Sequence, residues 1–277
     1  MENDNAKKLA DDALNVLANA LDAGQSDALK TYLATMAKFH HYSWGNVLLI
    51  ATQKPNATHV AGYRAWQKLD RHVRKGEKGI VILAPMVVRK KADGEETEDV
   101  QTRVFGFRAA HVFDISQTEG APLPEFATVK GDPRDYTLRL KAAIRDHGIT
   151  LEYTSDIYPA LGCSTGGRIQ IQPFLPAAAE FSVLVHEYAH ELLHSGERRY
   201  DTTRQVRETE AEAVSFVVCS AIGLDTNTAA SDYIQLYDGT TETLAESLQL
   251  IQQTAATIIT QLTATQLTAV TAEELVA

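Results

Sequence analysis

The sequence predicts an α+β protein in two parts. An N-terminal helical segment leads into a β-hairpin or small sheet, and a second part is organised around a helix that carries H-E-x-x-H. Three observations predict this. Apolar residues recur at helical spacing through residues 6–50, and two β-rich runs, 80–83 and 103–113, flank a polar connector at 92–99. His186, Glu187 and His190 lie in an apolar stretch, 181–193, long enough for about three and a half turns of helix.

Composition narrows the class. A chain of 277 residues with 44% hydrophobic and 22% charged residues has material for one or two domains with sizeable cores. The sequence has no run of about 18 apolar residues, and residues 1–5 are neither basic nor apolar, which argues against a membrane span or secretion and sets a cytoplasmic expectation. Cys163 and Cys219 have no metal-like spacing and read as ordinary thiols of a reducing compartment. The net charge of −10 is uneven. Residues 1–125 carry 16 Lys/Arg against 16 Asp/Glu, whereas 126–277 carry 10 against 20, so the whole deficit falls in the second half. Gly120, Pro122 and Pro124 mark residues 116–128 as a linker, giving domains at 1–125 and 126–277.

In chain order, Leu9, Leu14, Leu17 and Leu21 stripe a first helix that Gly24 ends. Ser26 can cap a second, over 26–39, and Ser43 a third that carries Val47 to Ile50 inward before Pro55. Gly76 and Gly79 bracket a turn before the first β run. Past the linker, Asp132-Pro133 opens a helix stopped by Gly148. Strands follow at 149–153 and 167–171, with a loop at 162–167 between them. The H-E-x-x-H helix starts near Pro176, residues 195–203 form a polar loop, and a helix over 204–219 turns apolar after Ala211. Helices at 228–237 and 241–264 close the chain, and the last dozen residues read as a frayed tail.

Residues four apart share a helix face, so His186 and His190 can present both imidazoles to one metal ion while Glu187 faces a water on it. That pattern points to one Zn2+ held by two His, with Glu187 as general base. A third protein ligand is still needed. His194 lies roughly 12 Å along the axis from His186, more than one ion comfortably spans, and reads as a supporting or substrate-side residue or as simply buried, with ligation only as a fallback. The next helix offers Glu208, Glu210 and Glu212. Glu212 sits where that helix turns apolar, beside the small Ala213, and is the expected ligand; Glu208, on the same face, would hold a His or stand in for it. Glu210 points elsewhere and reads as solvated surface.

Between Arg64 and Lys91 there are nine Lys/Arg against Asp70 and Glu77, interleaved with Tyr63 and Trp66 and close to Tyr42 and Trp44. Cations that track phosphates and aromatic faces that stack on bases are what a single-strand binder needs. A solvated basic face with both Trp in the core is the competing reading.

Two stretches resemble known families. The run from Val185 to His194, followed by Glu210-Ala211-Glu212-Ala213-Val214-Ser215-Phe216, resembles the gluzincin-like metallopeptidase domain of the ImmA/IrrE group, whose E-x-E-A-x-x-F pattern falls with its second Glu on Glu212. Tyr42-Ser43-Trp44-Gly45-Asn46, Tyr63-Arg64-Ala65-Trp66, Arg74-Lys75-Gly76-Glu77-Lys78-Gly79 and 112–118 resemble the N-terminal domain of ArdC-type antirestriction proteins. The resemblances imply a single-stranded-DNA-binding domain fused to a zincin-like metallopeptidase domain, carried on a plasmid or phage. Tyr42, Trp44, Asn46, Arg64, Trp66, Lys68, Arg71, Arg74, Lys75 and Lys78 would contact DNA, and a peptide or protein would be the substrate. A DNA-binding antirestriction protein whose zinc is structural or regulatory is the alternative.

Overall fold

The structure, a computed structural model, describes residues 2–23, 26–90, 101–121, 133–224 and 241–264. Three helices open it: α1 (Glu2–Asp22), α2 (Ser26–Lys38) and α3 (Trp44–Gln53). Their stripes meet as the spacing predicts, with Leu14, Leu17, Leu33, Met36, Leu49 and Ile50 all buried. Ser43 caps α3 by accepting from the Asn46 amide at 3.4 Å.

The β-rich section is one three-stranded antiparallel sheet. The long hairpin of β3 (Ile80–Lys90) and β4 (Gln101–Asp114) takes the short β1 (Val60–Gly62) on the far side of β4, and a register shift falls between Met86 and Val87. The predicted connector at 92–99 lies outside the described residues. An edge strand exposes a row of backbone groups that can pair with another chain. Here α3 covers that row on β3. Asn46 donates to the Leu83 carbonyl and accepts from the Leu83 amide at 2.9 and 2.8 Å, and two turns on Gln53 does the same for Val81 at 2.8 and 2.9 Å. The two side-chain amides imitate a neighbouring strand.

The linker expected at 116–128 differs in its first part. A 3-10 turn at Ile115–Gln117 leads into β5 (Thr118–Gly120), which pairs with β2 (Arg71–Val73) after the short helix α4 (Tyr63–Lys68). Arg71 is buried and holds that ribbon, donating through Nε to Thr118 Oγ1 at 2.9 Å and through Nη1 to the Ala121 carbonyl. Gly120 has no periodicity to announce a strand, and only the partner strand gives it one.

The C-terminal part starts with α5 (Arg134–Asp146), then a second sheet ordered β6-β8-β7 from β6 (Thr150–Tyr153), β7 (Gly162–Ser164) and β8 (Arg168–Ile171). The loop expected at 162–167 is thus half strand. β8 is the central strand, parallel to β6 and antiparallel to β7, and its Ile169 and Ile171, two apart on one face, are fully buried. Helices α6 (Ala177–Leu193), α7 (Arg198–Asp201), α8 (Arg204–Ala221) and α9 (Thr241–Thr263) complete the fold. The helix expected at 228–237 and the tail after 264 lie outside the described residues.

One hydrophobic cluster runs from Ala13 to Leu262. Helix α2 packs on α8, and α9 packs on α8, α5, α6 and α1, so the N-terminal helices share a core with the C-terminal part. No described helix is long and apolar enough to cross a membrane. Replacing Asn46 by Ala strips both backbone groups of Leu83 of their side-chain partners. The expected loss is about 1–3 kcal/mol of unfolding free energy, read from urea denaturation.

Candidate metal centre

Helix α6 has different neighbours on its two flanks. Phe181, Leu184, Val185, Tyr188 and Ala189 are fully buried and seat it in the core. Against one flank lies β7, where the helix presents carboxylates. A Cβ built on Gly162 would stand 2.7 Å from Glu187 Oε1 and 2.6 Å from Val183 Cγ1, so the strand passes close only because it has glycine there. One turn on, Glu191 accepts from Ser164 Oγ at 2.5 Å and from the amides of Gly166 and Gly167 at 2.9 and 2.6 Å, which ties the β7–β8 turn to α6. Sequence reasoning passed over Glu191. Its signal was a carboxylate four residues from Glu187, facing a Gly-Gly pair that turns with φ of +77° and +82°.

Against the other flank lies α8, where α6 presents imidazoles. His186 Nε2 and His190 Nε2 are 3.1 Å apart, and Glu208 Oε2 stands 3.5 and 3.6 Å from them. Glu212, expected among the ligands, sits elsewhere: its Oε2 is 3.0 Å from the other nitrogen of His186, Nδ1. Among the described residues, His186, His190 and Glu208 form the group of three whose donor atoms converge. The exchange has a simple cause. Glu208 and Glu212 share one face of α8, and where α8 packs on α6 the earlier one meets the imidazole pair while the later one meets the far nitrogen of His186.

His194 reaches the centre through His190, Nδ1 to Nδ1 at 3.0 Å, and its own Nε2 lies 2.9 Å from Glu210 Oε2. Glu210, expected on the surface, is fully buried. Arg198 donates to both of its oxygens at 2.8 and 2.9 Å, and Ser247 of α9 donates at 2.6 Å. The reason is that the far face of α8 is covered by α9, so a carboxylate there must be paired.

These partners dictate tautomers. A carboxylate only accepts, so Glu212 requires a proton on His186 Nδ1, leaving Nε2 as a bare lone pair. Glu210 likewise requires the proton on His194 Nε2. His194 Nδ1 then accepts, His190 Nδ1 donates, and His190 Nε2 is bare as well. Two lone pairs and a carboxylate oxygen therefore face one another within 3.6 Å, and only a positive charge reconciles them. Burial pulls His186 down, but its hydrogen bonds to Glu208 and Glu212 outweigh this and bring it to about 10. Glu208 is held far below the usual carboxylate range by the same two imidazoles.

The edges of 3.1, 3.5 and 3.6 Å bracket the roughly 3.3 Å between donors of a tetrahedral ion with bonds of about 2.0–2.1 Å, so two His and one Glu fit zinc. Glu187 is raised, chiefly by burial. It lines a cleft of about 760 Å³ with His186, His190, Glu208 and Glu212. Cys163 also lines the cleft, whereas the Cys219 thiol is buried and pushed up to about 12, no candidate for a ligand.

The basic section keeps some expected DNA contacts for itself. Trp66 is buried and donates Nε1 to the Phe113 carbonyl at 2.8 Å, so it stacks on nothing outside; Asn46 and Arg71 serve the strands described above. Arg74 is paired with Glu77 at 2.9 Å. Tyr42 and Trp44 are half-buried against the core, whereas Tyr63, Arg64, Lys68, Lys75 and Lys78 are exposed.

Fold and site together define a mixed helix and sheet protein with an H-E-x-x-H donor set competent for a metal ion. Residues 7–113 match the family of the N-terminal domain of anti-restriction factor ArdC. The chain shares its fold with the antirestriction ArdC protein from R388 plasmid, at 20% identity. In the Mn(II)-bound structure the TM-score is 0.53, over 92% of this chain and 96% of that one; in the metal-free structure it is 0.50, over 79% and 84%. An uncharacterized Bacillus anthracis protein is 26% identical over 271 residues, 81% of this chain and 46% of the relative, so the chain spans about half of that relative's length. An uncharacterized Sinorhizobium fredii protein is 26% identical over 240 residues, 74% of each.

Putting Ala at Gly162 pushes a methyl into Glu187 and Val183. Loss of about 1–3 kcal/mol of stability is expected in thermal unfolding, as for other overpacked sites.

Proposed function

We propose that the chain is a zinc-dependent endopeptidase joined to a single-stranded-DNA-binding N-terminal part, and that it serves antirestriction. The observation that carries the peptidase reading is the triangle of His186 Nε2, His190 Nε2 and Glu208 Oε2, with Glu187 beside it in an open cleft. In this reading His186, His190 and Glu208 hold the ion. Glu212 fixes the His186 ring, and His194 with Glu210 fixes that of His190. Bound there, zinc supplies Lewis acidity toward a peptide carbonyl and toward water. Two imidazoles favour zinc over manganese, which prefers carboxylate and water oxygens.

The chain's own residues do the rest. Glu187 takes a proton from the water that attacks the peptide carbonyl and returns it to the departing amine. Burial raises its basicity for that task. β7, an outer strand of its sheet that lines the cleft, can pair its free edge with an extended substrate. β8, the central strand, is enclosed on both edges and offers a substrate none. A donor to the oxyanion is also needed; His194 and Arg198 are bound to Glu210, whereas Tyr200 is exposed.

The resemblance of residues 7–113 to the ArdC N-terminal domain supports the DNA arm, together with the exposed cations Arg64, Lys68, Lys75 and Lys78. A second reading, in which the ion only braces the fold, draws on the buried Glu210 network that joins α6, α7, α8 and α9.

Glu187→Gln separates the two. It is expected to keep its zinc while losing peptide hydrolysis by about 10²–10⁴-fold, and full antirestriction by that variant in a plasmid-transfer assay would reject the peptidase reading. For the ligands, chelator competition should show Glu208→Ala losing far more zinc affinity than Glu212→Ala or His194→Ala, each expected to weaken it about 10–100-fold. The reverse order would restore Glu212 as ligand. Replacing both Lys75 and Lys78 by Ala should lower the salt slope of single-stranded oligonucleotide binding by about 1.4; an unchanged slope would remove them from the DNA contact.

A further inference from the structure

We infer that the cleft over the metal centre selects acidic polypeptide segments, with Arg199 and Arg204 as the residues that read them; this rests on the endopeptidase reading proposed above. The cleft has two walls. β7 and the preceding loop, with Ile157 and Leu161, line the side that Glu187 touches; α7 and the start of α8 line the side that Glu208 and Glu212 come from. Three carboxylates line this space, Glu187, Glu208 and Glu212, against three guanidiniums, Arg199, Arg204 and Arg207. With a divalent ion in place the lining is net positive.

The carboxylates also face inward. Glu212 is bonded to His186, Glu208 faces the imidazole pair, and Glu187 packs against Gly162. The guanidiniums are placed differently. Arg207 donates to the Arg199 carbonyl at 2.8 Å and to the Thr202 carbonyl, which fastens α7 to α8. That leaves Arg199 and Arg204 on one wall with their charges outward. Arg199 is exposed and has no side-chain partner among the described residues; Arg204 is 87% exposed, its nearest carboxylate oxygen 4.0 Å away on Glu208.

The rest of this half gives no reason to expect such a wall. Residues 126–277 carry 10 Lys/Arg against 20 Asp/Glu, yet four of those ten cations are Arg198, Arg199, Arg204 and Arg207, with Asp201 the one acid among residues 198–207. Arg198 is bonded to the buried Glu210; the other three line the cleft. A local excess of cations against a strongly anionic background selects negative charge in what enters. Nucleic acid would also supply it. The opposite wall favours polypeptide, because the outer edge of β7 offers amides and carbonyls that pair with another peptide backbone, and Ile157, Leu161 and Val183 offer apolar contact.

The test uses the full chain as Glu187→Gln, loaded with zinc, and measures anisotropy of labelled ten-residue peptides that differ only in Asp/Glu, Asn/Gln or Lys. The acidic peptide is expected to bind about tenfold tighter than the neutral one at low salt, as two partly exposed ion pairs allow. That preference should vanish in the Arg199→Ala/Arg204→Ala double variant, with zinc content and circular dichroism unchanged. Equal or tighter binding of the neutral or basic peptide, or a preference that survives the double variant, overturns the inference. So does an oligothymidine whose displacement of the acidic peptide depends on the two arginines, since the wall would then serve nucleic acid. Cleavage by the unaltered chain reports separately: no hydrolysis of any peptide alongside an intact acidic preference rejects the peptidase reading alone, and equal hydrolysis of all three rejects the substrate class alone.

Discussion

The C-terminal part depends on one electrostatic constraint: two bare imidazole nitrogens and a carboxylate oxygen held within 3.6 Å of one another. Acceptors at that separation repel, and removing charged groups from water without a counter-charge is costly. The arrangement persists because each member is held from behind. Glu212 holds His186, the His194–Glu210 pair holds His190, and Arg198 and Ser247 satisfy Glu210. Helix α8 supplies Glu208, Glu210 and Glu212 within five residues, aimed at the imidazole pair, at the interior under α9 and at the back of His186.

How much of this was legible follows from which period governs each residue. The pair His186 and His190 could be read directly, because a spacing of four fixes two side chains on one face of one helix. The third donor could not. Periodicity puts Glu208 and Glu212 on a common face but says nothing of how far α8 slides or tilts over α6, and that offset decides which meets the imidazoles and which meets the ring behind them. Glu210 was misjudged for a related reason. It points away from the centre as expected, but that far side is covered by α9, whose position no local pattern announces.

The N-terminal part shows the same division. Helices α1 to α3 and the hairpin were readable from stripes, caps and β runs. The roles of single polar or aromatic residues were not, because they are set by strands distant in sequence. Trp66 bonds a carbonyl 47 positions away, Asn46 a strand residue 37 away, and Arg71 the ribbon at Thr118. A basic and aromatic stretch therefore mixes residues that build the sheet with residues that remain exposed, and composition cannot sort them. Lys75 and Lys78 are exposed; Arg71 is not.

Glu187 is the residue whose position the fold does least to explain. It belongs to the same motif as the two imidazoles, yet among the described residues it makes no hydrogen bond, while Glu191, Glu210 and Glu212 are each tied to named partners. A buried carboxylate without a hydrogen bond weakens the folded state, and its raised basicity expresses that penalty. An ion serving only as a brace would need the triangle and the groups behind it, and would gain nothing from a buried base on the opposite flank. Gly162 makes room for that base at the edge of the cleft. A carboxylate of raised basicity that lines the cleft beside the donor set is what the proposed proton transfer needs, and within that proposal it is this residue, more than the ligands, that separates hydrolysis from a structural role.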